Sequence, residues 1–203
     1  MSLAEIKPAR DRLNPGKLIV GDRENQSSLD NWGKPRSGHP EGSIRRHIAE
    51  LESNLDRLKP QLSGEETGKL RVLIHTHDTF KPDAKTGVAI ADPQSHASLA
   101  RQFLAKYVSD SDLLNMVQFH DEPFALWKKH RYGGDYTDRL GRLLDLIEDW
   151  DLFLAFLIVD GCTAGKSTEP LDWFFAEIGD RVESRIDATW IKIAANPESI
   201  SES

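Results

Sequence analysis

The stretch "LRVLIHTHDTFK", residues 70–81, decides how the chain is read. Leu70, Leu73, Ile74, His77, Asp78 and Lys81 fall at offsets 0, 3, 4, 7, 8 and 11, which is one face of a helix. The spacing predicts a helix over about 65–80, opened by a cap in "SGEET". Its inward face begins apolar and ends in an imidazole and a carboxylate. Isolated inward histidines are common in cores, but a buried carboxylate is costly unless paired or bound to metal.

The same pattern recurs along the chain. The spacing predicts a helix over about 43–59, with His47 inside the stripe Ile44, Ile48, Leu51, Leu55, Leu58 and a stop at Pro60. A third helix, about 94–108, carries His96 at the head of Leu99, Phe103, Leu104 and Tyr107. A fourth, about 111–121, carries His120 after Leu113, Met116 and Val117 and ends at "DEP". A fifth runs from about 136 to 159 behind the Gly-rich loop "RYGGDYT", a candidate lid, and Asp160 ends its stripe. A last helix covers about 169–194. No segment alternates convincingly like a strand, apart from a short candidate at Leu18–Val20. The expected fold is all-α: a compact helical bundle with an irregular N-terminal arm over 1–38, a helical domain over 39–194 and a flexible tail over 195–203. Four histidines and two aspartates thus point inward with few lysines or arginines to neutralise them. Nitrogen and carboxylate oxygen together suit zinc, iron or manganese.

Bulk properties narrow the function classes. The 203 residues suit one domain and can bury a sizeable core. The net charge of −7 argues against a protein built to grip nucleic acid backbone. The single cysteine, Cys162, excludes an internal disulfide, and with no secretory signal a cytoplasmic location is expected. The apolar run "WDLFLAFLIV", residues 150–159, is too short to span a bilayer, so no membrane partner is expected. "GCTAGKST", residues 161–168, is one residue short of a P-loop and follows a helix instead of a strand, so a phosphate cradle is not expected there.

These residues resemble the HD-domain metal-dependent phosphohydrolases, whose H…HD…D signature reads here as His47, His77-Asp78 and Asp160. "HPEGSIRRH", residues 39–47, is similar to the approach to the family's first histidine. "HDTFK", residues 77–81, is similar to its H-D-x-x-K, with Phe80 where glycine is common. The resemblance covers about residues 39–178. His96 and His120 occur at positions similar to those of the dinuclear members. The resemblance therefore implies one ion on His47, His77, Asp78 and Asp160, and a second on Asp78, His96 and His120. One or two divalent ions (Fe, Mn, Zn, Mg or Co) are implied as cofactors. The implied activity is hydrolysis of a phosphomonoester or phosphodiester, of a nucleotide for preference, with Asp78 and Lys81 catalytic and Lys81 also binding substrate phosphate. The alternatives are a di-iron oxygenase of the same superfamily and a catalytically silent nucleotide-binding protein. A homo-oligomer stays open. Asp121, in the second His-Asp pair, is expected at a helix end or behind the ligands, with a ligand role left open; His75 is expected as packing or behind the ligands, and His39 and His130 in loops.

Overall fold

The computed structural model describes residues 33–35, 40 and 42–195. Among the described residues there are nine α-helices and no strand: α1 Ile44–Leu58, α2 Gly64–Thr76, α3 His96–Leu104, α4 Ser111–Phe119, α5 Glu122–Arg131, α6 Thr137–Leu146, α7 Trp150–Gly161, α8 Glu169–Ile178 and α9 Thr189–Ala195. The all-α expectation stands. The candidate strand at Leu18–Val20, most of the arm, His39 and the tail beyond Ala195 lie outside the described residues.

The centre of the fold is α7. Every residue from Leu152 to Val159 is buried, so this helix has no solvent face. Helices α1 and α2 pack against it and against each other, and α9 closes over α1 and α7. A second layer pairs α3 with α4 and sets α5 against α6 and α8. Phe153, Phe156 and Phe174 are wholly buried, and each contributes on the order of 1.5–3 kcal/mol by leaving water. No helix among the described residues is long and apolar enough to cross a membrane.

The helix starts follow local chemistry. Ser43 caps α1 through Arg46 N–H, and Ser63 and Glu66 form a reciprocal capping box on α2. The ends differ from expectation in several places. Helix α2 stops at Thr76 instead of running to 80, and His77 is its C-cap. Thr76 and Thr79 turn their hydroxyls onto the carbonyls of Val72 and His75, competing with the helical bonds. Pro82 then disfavours helical geometry at Lys81. The chain continues in short turns, with Lys81 N–H donating to Asp78 O at 3.0 Å. Helix α3 is shorter than expected, because the Ser95 hydroxyl caps it at Ser98 N–H and its C-terminus tightens into i→i+3 bonds at Lys106 and Tyr107.

Helix α5 was not expected. Pro123 opens it at a position where a missing N–H costs nothing, and Lys128, Lys129, His130 and Arg131 sit at its negative C-terminal end. His130 is therefore helical and not in a loop, stacked on Trp173 with ring centroids 5.1 Å apart. The expected helix over 136–159 is two helices. The buried Asp112 carboxylate accepts the N–H groups of Glu148 (2.9 Å) and Asp149 (2.8 Å), and Asp149 caps α7. The expected helix over 169–194 also divides, at a turn where Asp151 accepts from Ser184 Oγ and Arg185 N–H.

Candidate metal centre

All six expected ligands lie at or next to helix ends. His77 and Asp78 close α2, His96 opens α3, His120 closes α4, Asp160 nears the end of α7 and His47 is in the first turn of α1. One buried hydrogen bond sets the register between α1 and α7: Asn54 Nδ2 donates to Val159 O at 2.8 Å. Asn54 lies two turns beyond His47 on the same face, so this bond brings His47 beside Asp160. On the other side, Gln118 Nε2 donates to Ile90 O at 2.6 Å and contacts Ser98 Oγ, tying α4 to α3 and to the loop after Asp78.

The side chains converge on Asp78. Its Oδ2 is 3.9 Å from His47 Nε2 and 3.5 Å from His77 Nε2. Its Oδ1 is 3.7 Å from His96 Nε2 and 3.6 Å from His120 Nε2. The two imidazoles of the second pair stand 3.4 Å apart at their Nε2 atoms. Asp160 Oδ1 lies 2.9 Å from His47 Nε2 and 3.9 Å from His77 Nε2. Two triads are close enough to hold an ion: His47, His77 and Asp78, and Asp78, His96 and His120.

Backbone contacts fix the imidazoles. His77 Nδ1 donates to the carbonyls of Leu73 and Ile74, each at 3.1 Å, and His120 Nδ1 donates to Val117 O at 2.8 Å. Both Nε2 atoms are therefore the ones aimed at the cluster, as metal-binding histidines require. His77 Nε2 and Asp78 Oδ1 are buried without a hydrogen-bond partner. Burial pushes His77 down to about 4, more than the nearby Asp78 and Asp160 charges raise it, so its imidazole is neutral at pH 7. For His120 burial also disfavours the charge, but the Asp121 and Asp78 carboxylates outweigh it and lift the group to about 9. Burial likewise opposes ionisation of Asp78 and Asp160. Lys81 and His77 hold the first well below the usual carboxylate range, and Lys166 and His47 do so for the second. Imidazole nitrogens and ionised carboxylates gathered at one point, with His77 Nε2 and Asp78 Oδ1 buried and lacking partners, fit a divalent transition-metal ion, whose binding at His120 would displace the proton held there.

His47, His77, Asp78 and His120 form the buried floor. Lys81, His96, Asp121, Asp160 and Lys166 form the partly exposed rim. Lys81 is ion-paired with Asp78 Oδ2. Two rim residues exceed the expectation from sequence. Asp121 Oδ2 is 3.3 Å from His96 Nε2 and 3.6 Å from His120 Nε2, so this aspartate faces the cluster as well as ending a helix. Lys166, in the "GCTAGKST" loop, donates from Nζ to both Asp160 Oδ1 and Asp160 O at 3.0 Å. Its only sequence signal is a lysine six residues beyond the last aspartate. Gly165, at φ +76°, packs so tightly on Pro40 that a Cβ would lie 3.0 Å from the proline ring. His75 faces away and pairs with Glu52 at 3.0 Å.

The geometry defines a helical domain with a buried His/Asp cluster able to bind metal. Comparison of the chain with protein-family models, with curated proteins and with solved structures gave no match.

Proposed function

We propose that the chain is a metal-dependent phosphohydrolase acting on a small phosphorylated substrate, with nucleotides the preferred class. The observation that carries this reading is the Asp78 carboxylate, whose two oxygens each face a separate pair of imidazole nitrogens. His47, His77, Asp78 and Asp160 would hold one ion and Asp78, His96 and His120 another. Divalent ions at such a site offset phosphoryl charge and acidify bound water. The chain's own groups do the rest. Lys81, about one-fifth exposed at the rim, reaches a phosphoryl oxygen and opposes the charge that builds up on it. Asp121, half exposed and within reach of His96, stays ionised because His120 and His96 outweigh burial, and its carboxylate accepts hydrogen bonds from water at the rim and orients it. The backbone carbonyls behind His77 and His120 keep their rings from turning.

The test is a panel of phosphomonoesters and phosphodiesters, nucleotides included, assayed with manganese-loaded protein beside Asp78→Ala. Release of phosphate that the variant lacks supports the reading. No turnover by metal-loaded protein overturns it, as does dioxygen consumption by iron-loaded protein without phosphate release.

A further inference from the structure

Lys81 and Lys166 occupy opposite ends of one row of contacts: Lys81, Asp78, His47, Asp160, Lys166. Each ammonium rests on a carboxylate oxygen that also faces imidazole nitrogen: Asp78 Oδ2 for Lys81 and Asp160 Oδ1 for Lys166. The lysines come from different parts of the fold, one from the turn after α2 and one from the loop after α7. Their side chains are 21% and 19% exposed, so both reach solvent at the rim. An ammonium and a metal ion cannot share one carboxylate oxygen at contact distance, because like charges there repel strongly. The lysine must then turn its donors elsewhere, and the rim offers solvent and substrate.

We propose that Lys81 and Lys166 form a two-ended anion clamp, so that the site takes substrates carrying two linked anionic groups, such as a diphosphate. This inference rests on the reading of the cluster as a metal site. In metal-free protein the two ammonium groups pair with the Asp78 and Asp160 carboxylates. In loaded protein they bracket the ligand, Lys81 on one anionic group and Lys166 on the other. A single phosphate engages one end only. Lys166 is a substrate-binding residue in this account, and not a brace for the loop.

The experiment uses manganese-loaded protein freed of excess metal, with inorganic pyrophosphate and inorganic phosphate as probes, read by calorimetry and independent of turnover. The wild type binds pyrophosphate more tightly than phosphate. Losing one charge-assisted contact in Lys166→Met lowers pyrophosphate affinity by about tenfold to a hundredfold. Phosphate affinity then changes little, and Lys166→Arg restores much of the preference. Manganese affinity, measured against a chelating dye, stays the same or tightens in Lys166→Met, because Lys166 no longer competes for Asp160. Equal pyrophosphate binding by wild type and Lys166→Met overturns the clamp, as does weaker manganese binding in that variant. Pyrophosphate preference without hydrolysis of any phosphoester removes the hydrolase reading and leaves the clamp standing. Hydrolysis with no effect of Lys166→Met does the reverse.

Discussion

Replacing His77 by leucine is expected to stabilise the metal-free protein and to remove the part of its stabilisation by metal that the His47, His77 and Asp78 triad supplies. His77 is fully enclosed, neutral at pH 7 and packed with its ring centroid 5.3 Å from Phe156. Its Nε2 has no hydrogen-bond partner and faces carboxylate oxygens at 3.5 and 3.9 Å. An unpartnered buried polar atom costs about 1–3 kcal/mol. Leucine is close to the imidazole in size and removes that atom. It also removes the Nδ1 bonds to Leu73 and Ile74 carbonyls, worth about 1 kcal/mol, although Leu73 O keeps the His77 backbone N–H at 3.0 Å. The net gain is about 0–2 kcal/mol, and at roughly 2–4 °C per kcal/mol for a chain of this size Tm holds or rises by up to about 8 °C. The assay is calorimetric unfolding of chelator-treated wild type and His77→Leu at pH 7, repeated with saturating manganese. Metal at a hundred times Kd adds about 2.7 kcal/mol per ion bound; the wild type gains this from both triads, and the variant only from Asp78, His96 and His120. A metal-free variant clearly less stable than wild type refutes the claim that function strains this position. A variant that gains the full metal increment refutes His77 as a ligand.

Three further outcomes follow from the same structure. Asp112→Ala removes the charged acceptor of the Glu148 and Asp149 N–H groups, two bonds of about 1.5 kcal/mol each, so chemical denaturation should report a loss of about 3 kcal/mol. Burial raises the Glu66 carboxyl, but the Ser63 N–H and Arg185 outweigh it and hold the group below its ordinary value. A depressed folded pKa means the stabilisation is complete above the unfolded value and is lost as pH falls through the folded one, so Glu66→Gln should flatten the acid limb of the stability–pH curve. Burial pushes the Cys162 thiol up to about 12, so native protein at pH 8 should resist alkylation that the urea-unfolded chain undergoes readily.

Much of the helical pattern is local and was legible. The stripe of α1, its stop at Pro60 and the Ser63–Glu66 box are written in adjacent residues. The breaks within 136–159 and 169–194 were not, because apolar spacing runs on through Ile147 and Trp150. What stops the helix is Asp112, some 36 residues away, capturing the N–H groups at Glu148 and Asp149. Helix α5 was hidden by Pro123, a residue that opens helices as readily as it ends them.

The site divides along the same line. His47, His77, Asp78, His96, His120 and Asp160 were visible because polar residues on apolar helix faces stand out. The structure brings all six together. Lys166 lies in a loop with no periodicity to mark its direction, and only the fold brings it onto Asp160. Asp121 was visible as part of a second His-Asp pair, but its orientation toward His96 depends on how α4 meets α5.

The most direct test of the central claim is metal content. Protein prepared without chelator should carry up to two divalent transition-metal ions per chain by elemental analysis, and metal-free protein should take up two on titration. Asp78→Ala should take up none, because both triads share that residue. A folded wild-type protein that binds no ion under either condition would contradict the account.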